Sequence, residues 1–342
     1  MLFFMLEADY LKWKAFLAHK KNKDVYLTIL ENFKDSNFPF IINLTHFSKL
    51  VGIKSSELNN MIYITDSFYR EFEIPKKRGG TRKISSPYPS LSFIQNWILK
   101  NILEKIYLNS SATAYVKNKS ILDNVTPHLS QNFILKIDLK DFFPSLKIAR
   151  IIQVFRNCGY SQKVAYILAR ICCLDNSLPQ GACTSPYLAN IISKRLDSRL
   201  YSFCKKFDLK YTRYADDITI SGSDINWKQC EYIINIIENE GFDINKEKTK
   251  LISGSKKIIT GISINSDTPK LPRKTKRELR HNAYIVLHLS KEEYMNTLFK
   301  ENPMFIESLI GKYNYWLFIE KENTYVKETL KKLKEYSIML SS

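Results

Sequence analysis

Two adjacent carboxylates lie inside a hydrophobic, strand-forming stretch of the chain. Asp216 and Asp217 follow Tyr214 and are followed by Ile218 and Ile220. Neighbouring acids repel each other, and unpaired charge inside a sheet is costly. A bound divalent cation would supply the missing positive charge. We therefore interpret the pair as part of a metal site, although an isolated Asp-Asp is more often a solvated turn.

A third carboxylate lies on another predicted strand. Hydrophobic residues recur with period two over 133–139, and Asp138 lies on the face opposite Ile137. Three carboxylates that hold two Mg²⁺ ions roughly 3.5–4 Å apart form the recurring catalyst of nucleotide addition. One ion would lower the pKa of a primer hydroxyl, and the other would stabilise the leaving pyrophosphate. We expect Asp138, Asp216 and Asp217 to be the metal-binding and catalytic residues.

Hydrophobic periodicity predicts the elements that position these acids. A basic stretch around Gly79 and Gly80 predicts a β-hairpin. The remaining predicted elements are helices within 7–70, over 91–106, 147–173, 185–203 and 227–240, strands over 133–139 and 210–221, short strands near 242–252 and 257–264, and a helical tail over 270–342.

Composition limits the class of protein. The chain has 342 residues, of which 44% are hydrophobic, so it can bury a sizeable core. Its formal net charge of +18 predicts a polyanionic partner, either nucleic acid or an acidic membrane surface. The apolar run at 1–6 ends at Glu7, far short of the roughly 20 residues of a membrane span. The six cysteines form no C-x-x-C pair, so we expect reduced thiols, a cytoplasmic location and no membrane partner.

Three motifs occur together in the chain. They are KIDLKDFFPS at 136–145, LPQGACTSP at 178–186 and YADD at 214–217. Their order and spacing resemble those of reverse transcriptases, most strongly over 70–265. The resemblance implies an α+β fold of the right-hand polymerase type, with an antiparallel-sheet palm, helical fingers with a β-hairpin, and a helical thumb. The implied domains are N-terminal helices and fingers at 1–130, a palm with interleaved finger elements at 131–265, and a thumb or RNA-binding region at 266–342.

The resemblance also implies residues that bind the incoming deoxynucleoside triphosphate. Phe143 matches the aromatic residue that closes against the sugar, where a rigid ring leaves no room for a 2′-hydroxyl. Gln180 matches the residue beside the nucleotide, and Gly181 would let the backbone approach closely. The remaining matches are basic: Arg82 and Lys83, with Lys77 as a further candidate, for the triphosphate, and Lys248, with Lys246 and Lys250 as competitors, for the pyrophosphate.

Two shorter motifs are similar to those of bacterial retron reverse transcriptases. Asn124-Val-Thr-Pro-His128 resembles an Asn-Ala-x-x-His element, and Ile259-Thr-Gly261 resembles a Val-Thr-Gly element. The family implies RNA contacts at Asn124 and His128, although a lone histidine is more often a core residue. It further implies a cognate structured non-coding RNA, priming from an RNA 2′-hydroxyl, a branched RNA–DNA product (multicopy single-stranded DNA), and a partner effector in anti-phage defence.

The start of the tail region is strongly basic. We expect a helix from about Arg273 to present its cations to an RNA backbone. Tyr313, Tyr315 and Trp316 are candidates for stacking on RNA bases, although for the tryptophan a place in the core of the thumb is favoured. The RNA-binding candidates of this region are Lys270, Arg273, Lys274 and Arg277.

Three other functions stay open on the sequence alone. A different stand-alone bacterial reverse transcriptase, of the diversity-generating or abortive-infection type, would share the main motifs. An RNA-dependent RNA polymerase is disfavoured by Phe143 and by the Leu-Pro-Gln-Gly run. A catalytically silent RNA-binding scaffold is disfavoured because all three acids are present.

Overall fold

The N-terminal region is a set of short helices. The structure, a computed structural model, describes residues 7–341 except 20–22, 35, 77, 78 and 255. Asn43 caps the third helix by accepting a hydrogen bond from the His46 backbone N–H, and Gly52 ends that helix at φ 72°. These helices are α1 (Glu7–Ala18), α2 (Lys23–Phe33), α3 (Leu44–Val51) and α4 (Ser55–Tyr63).

A two-stranded hairpin follows these helices. Tyr69 pairs with Pro87 at its base and Pro75 with Thr81 near its tip, so the hairpin predicted around Gly79 and Gly80 is confirmed. Its strands and the two helices that follow are β1 (Tyr69–Pro75), β2 (Thr81–Pro87), α5 (Pro89–Asn101) and α6 (Ile121–Val125).

The centre of the molecule is a four-stranded antiparallel sheet in the order β4-β5-β3-β6, covered by helices. The single helix predicted over 147–173 is instead two helices, because Gly159 adopts φ 93° and the Ser161 side chain caps the second helix. The elements of this region are β3 (Phe133–Asp138), α7 (Phe142–Ser145), α8 (Ile148–Asn157), α9 (Gln162–Cys172), α10 (Ser185–Ile192), α11 (Lys194–Lys206), β4 (Lys210–Tyr214), β5 (Asp217–Gly222), α12 (Trp227–Asn239) and β6 (Lys250–Ser253).

The C-terminal region is helical, as predicted, after a small β-ribbon. Tyr313 and Trp316 are fully buried, so the expected core position of the tryptophan is confirmed and stacking by Tyr313 on RNA is wrong for this structure. None of the described helices is long and apolar enough to cross a membrane. The elements are β7 (Ile258–Ile259), β8 (Ile262–Ser263), α13 (Arg273–His288), α14 (Lys291–Asn296), α15 (Leu298–Glu301), α16 (Phe305–Ile319) and α17 (Thr324–Ser341).

Two hydrophobic cores hold these elements together. The first core joins the N-terminal helices and the helices behind the sheet to one face of β3, through Ile137. The second core joins the C-terminal helices to β7, β8 and the other face of β3, through Ile134. Successive strand residues point to opposite faces, so the sheet lies between the two cores. This is the predicted α+β architecture with an antiparallel palm, helical fingers with a hairpin, and a helical thumb.

Candidate active site

The palm sheet brings the three predicted acids to one end of two neighbouring strands. Strands β3 and β5 are antiparallel, and the Cα atom of Asp138 lies opposite that of Asp217. The backbone N–H of Leu139 donates a 2.9 Å hydrogen bond to the carbonyl of Asp216. These backbone pairings place the three acids at the same end of the sheet, although Asp138 precedes the other two by almost a quarter of the chain.

A buried ion pair supports the turn that carries two of the acids. The Arg213 guanidinium binds both carboxylate oxygens of Asp197 at 2.7 Å, and both side chains are inaccessible to solvent. The same guanidinium donates 3.1 Å hydrogen bonds to the Ala215 carbonyl and to the Asn190 side chain. Ala215 has φ 57°, a conformation that costs free energy in a non-glycine residue. The network holds this residue immediately before Asp216.

The environment of Asp216 and Asp217 raises their affinity for protons. Burial, followed by the charges of Asp216 and Asp138, raises the pKa of Asp217 to about 6, and Lys136 opposes this shift. Burial and the charge of Asp138 also raise the pKa of Asp216, against the effects of Lys248 and Arg82. Mutual repulsion in a partly buried site is the condition that a bound cation relieves.

Lys248 provides a positive charge at this site. Its Nζ lies 2.9 Å from one carboxylate oxygen of Asp138 and 3.1 Å from the other. Lys250 lies in β6 with its Cα opposite Lys136, and Lys246 is exposed on the preceding turn. Of the three lysines considered from sequence, Lys248 therefore contacts a predicted catalytic acid.

The carboxylate oxygens of Asp138, Asp216 and Asp217 suit a hard divalent cation, because such ions prefer oxygen ligands of this kind. Among the described residues, no three acidic, histidine or cysteine side chains are already arranged to hold a metal ion. The Asp138 carboxylate is instead engaged by Lys248, so its two oxygens point at an ammonium group. Metal binding would therefore require Lys248 to leave Asp138.

Phe143 and Tyr115 are neighbouring aromatic residues, and Tyr115 feels the charge of Asp216. Phe143 is half-buried, and its ring centroid lies 5.4 Å from that of Phe142 and 6.4 Å from that of Tyr115. Tyr115 is 51% exposed, adopts φ 58°, and has a pKa raised by burial and by the charge of Asp216. Sequence reasoning missed Tyr115, because it lies in a segment without regular hydrophobic periodicity.

The predicted turn at 178–181 contacts the fingers hairpin. The Ser85 backbone N–H donates a 2.8 Å hydrogen bond to the Gln180 carbonyl. Gly181 adopts φ 135°, and a Cβ at this position would lie 2.6 Å from the Ser85 carbonyl oxygen. The close approach that requires glycine is thus made to β2, whereas the sequence interpretation assigned it to the nucleotide.

The two fingers cations point in different directions. Arg82 is exposed and its charge lowers the pKa of Asp216, so it acts on the catalytic side. Lys83 forms an exposed 2.7 Å ion pair with Glu71. Adjacent strand residues face opposite sides, so Lys83 lies towards Glu71 and away from Arg82, and its role at the triphosphate stays a prediction. Lys77 lies outside the described residues.

Asn124 and His128 are fully buried, which contradicts their prediction as direct RNA contacts. His128 hydrogen-bonds Ser221 at 2.6 Å and Thr212 at 2.8 Å, and its burial lowers its pKa to about 3. Asn124 accepts hydrogen bonds from Thr212 and Thr113. Both residues therefore attach the 121–128 segment to the palm strands.

The basic residues predicted to bind RNA lie at the entrance to the thumb. Lys270, Arg273, Lys274 and Arg277 are all exposed, the last three in α13. Lys276, on the same helix, is partly buried by its 2.7 Å ion pair with Glu320. The four predicted cations are therefore accessible to a polyanion.

Comparison with known proteins gives the family. Residues 74–280 match the family model described as Reverse transcriptase (RNA-dependent DNA polymerase). Retron Ec86 reverse transcriptase of Escherichia coli is 39% identical over 253 residues, which cover 72% of this chain and 79% of that protein. Retron Ec73 reverse transcriptase, also of Escherichia coli, is 33% identical over 67% of this chain and 79% of that protein.

One solved structure, telomerase from Candida albicans in complex with a fragment of telomeric RNA, aligns with 83% of this chain and 62% of that chain. Its sequence identity is 12% and its TM-score is 0.44.

The curated relatives favour the retron group over the other stand-alone bacterial groups. The chain belongs to the reverse transcriptase family and is a retron-type RNA-directed DNA polymerase.

Proposed function

We propose that this enzyme copies its own structured non-coding RNA into branched multicopy single-stranded DNA. The observation that carries the proposal is the placement of Asp138 opposite Asp217 in the palm sheet, with Lys248 bound to Asp138. The names of the retron relatives support the product class. Synthesis would begin at a 2′-hydroxyl of the RNA, so that the DNA strand stays joined to its template.

We propose two Mg²⁺ ions as the cofactors, held by Asp138, Asp216 and Asp217. When bound, they would lower the pKa of the attacking hydroxyl and stabilise the leaving pyrophosphate. The pKa of Asp217 is raised to about 6 but stays below neutral pH, so the carboxylate form that binds cations would still predominate at pH 7. Lys248, released from Asp138, would place its ammonium near the pyrophosphate.

The fingers residues would hold and select the deoxynucleoside triphosphate. Arg82 would bind the phosphates, because its guanidinium can form charge-assisted hydrogen bonds with them. Gln180 and Gly181 are fixed against β2 and would form the floor beside the nucleotide. The Phe143 ring would exclude a ribose 2′-hydroxyl by contact.

The exposed cations Lys270, Arg273, Lys274 and Arg277 would bind the RNA backbone, with affinity that falls as salt rises. We further propose a cytoplasmic enzyme that acts with an effector protein in anti-phage defence. The free thiols of all six cysteines support a reducing compartment.

The test is to characterise the nucleic acid that co-purifies with the enzyme. We expect DNA joined to RNA through a 2′–5′ linkage, which a debranching enzyme converts to a faster-migrating strand. Purification of the Asp216→Asn, Asp217→Asn variant provides the control, with RNA but no DNA. Linear DNA alone would contradict priming from the 2′-hydroxyl, and bound RNA without incorporation of any deoxynucleotide would favour the silent scaffold.

A further inference from the structure

A groove lies on the side of the palm away from the catalytic acids. It is formed by α11 and α12 and has a volume of about 880 Å³. These helices pack in the first core with Ile137, whereas the next residue, Asp138, points to the opposite face of the sheet. The groove, which we call the rear groove, is therefore separated from the polymerase site by the sheet.

Aromatic rings line the rear groove. Phe203 and Tyr232 are stacked with their ring centroids 4.9 Å apart and their planes 22° apart, and the Phe207 ring lies 4.8 Å from Phe203. Tyr232 is 55% exposed and Phe207 is 44% exposed. The rings thus form a platform with one side open to solvent, and aromatic platforms of this kind stack on nucleic-acid bases.

The charge around the platform is positive. The groove is lined by Arg195, Arg199, Lys206 and Lys228, and no acidic side chain is among the described residues that line it. Glu240, whose side chain is nearly buried, forms ion pairs with Arg195 at 3.2 Å and with Arg199 at 2.7 Å. This carboxylate holds the two guanidinium groups at the edge of the groove and leaves the lysines as further positive charge.

We propose that the rear groove binds unpaired nucleotides of a single-stranded nucleic acid. Bases would stack on Tyr232 and Phe207, and phosphates would contact Lys206 and Lys228. Because the lining is positively charged, it favours a polyanionic strand over a protein segment that has few acidic residues. The open aromatic faces favour unstacked bases over a duplex, whose bases already stack on one another. This site is independent of the proposed reverse transcription chemistry.

The test uses the full chain with Arg273, Lys274 and Arg277 changed to Gln, so that binding at the thumb is weakened. The probes are a fluorescein-labelled single-stranded RNA of about 12 nucleotides, the matching RNA duplex and inorganic polyphosphate. In this background, Tyr232→Ala should weaken single-strand binding by about fivefold or more, and leave polyphosphate binding unchanged. Lys206→Gln with Lys228→Gln should weaken binding of both probes and reduce its salt dependence.

The matched control is Tyr63→Ala, which removes a tyrosine of α4 that is more exposed than Tyr232. It should leave binding unchanged. Primer extension by every groove variant should match that of the background protein, in which Arg273, Lys274 and Arg277 are changed to Gln. Such a match would show that the fold is intact. Photocrosslinking with 5-bromouridine RNA should label Tyr232 or Phe207. Unchanged single-strand affinity in Tyr232→Ala, an equal loss for polyphosphate, or crosslinks found only in the thumb would overturn the proposal.

Discussion

Arg213 donates a hydrogen bond of 3.1 Å to the backbone carbonyl of Ala215, the residue that precedes Asp216 and Asp217, the two adjacent acids proposed to bind metal. The guanidinium is itself fixed by its ion pair with Asp197, in the interior of the palm. Arg213 thus connects a buried charge pair to a turn with a strained backbone. We describe it as a positioning residue, because it acts on the acids through Ala215.

Removing one partner of this ion pair should be costly. Arg213→Met should destabilise the protein by about 3–5 kcal/mol, because it leaves Asp197 buried without its counter-charge. Adding Asp197→Leu should restore part of the stability, measured by urea denaturation. Primer extension should stay low in the double variant, since the Ala215 carbonyl still lacks its donor; full recovery of activity would show that the pair is only structural.

Asp216→Asn together with Asp217→Asn should abolish DNA synthesis and leave RNA binding nearly unchanged. The amides keep the size of the side chains but remove the charges that a cation needs. Primer extension with Mg²⁺ and RNA filter binding measure the two effects. Asp208→Asn, at an exposed acid paired with Lys210, is the control and should stay active. Retained incorporation in the double variant would refute the metal assignment.

Phe143→Ala should admit ribonucleotides, because the ring that would contact the 2′-hydroxyl is removed. The measurement is the ratio of kcat/KM for a deoxynucleotide to that for its ribonucleotide, which should fall by at least about tenfold, as expected for a lost steric contact of roughly 1.4 kcal/mol. Phe93→Ala changes an exposed phenylalanine of α5 and should leave the ratio unchanged. Unaltered discrimination in Phe143→Ala would make that ring an ordinary packing residue.

In mild acid the raised pKa of Asp217 favours the folded state, and the opposite, destabilising contribution comes from His128. Its pKa is lowered to about 3 by burial, whereas the unfolded chain takes up a proton near pH 6.5. The unfolded state therefore binds more protons at this residue between these values, and its contribution to the free energy of unfolding decreases as pH falls below 6.5, by about 1.4 kcal/mol per pH unit.

Urea denaturation at about pH 7 and about pH 5 checks this sign, with an expected difference of about 2 kcal/mol from this residue. His128→Gln should be less stable at neutral pH and should lack this loss of stability in acid. His281→Gln, at an exposed position of α13, should keep the full dependence. An equal slope in all three proteins would assign the acid sensitivity to other groups.

Gly181→Ala should separate the 178–181 turn from the hairpin. The added Cβ would lie 2.6 Å from the Ser85 carbonyl oxygen, and φ 135° is unfavourable for alanine. We expect a destabilisation of about 1–3 kcal/mol and a raised KM for deoxynucleotides. Gly311→Ala is the opposite control, since this helical glycine has open space around it and the change should stabilise α16 by about 0.5–1 kcal/mol. If Gly181→Ala changed neither the stability nor the KM for deoxynucleotides, the hairpin would be able to move away from the added Cβ.

Much of the palm could be predicted because its signals are local. The period-two pattern around Ile137 predicts β3, and the residues around Tyr214 predict the hairpin that carries two acids. The break between α8 and α9 was missed, because hydrophobic residues continue on both sides of Gly159.

The errors at the site come from long-range contacts. His128 has its partners 84 and 93 residues away, so the sequence could not show that its two nitrogen atoms are already bonded inside the protein. Arg213 is a charged residue within a strand, and only the fold places Asp197 against it.

The second core also constrains how the protein is made. Val125 and Ile134, from the first half of the chain, belong to the same buried core as Trp316 and Leu333 near its end. A nascent chain on the ribosome would hold one face of its palm exposed until α16 and α17 emerge, and exposed apolar surface of this kind promotes aggregation. A premature stop codon within the thumb would therefore yield an insoluble product instead of a weakened polymerase.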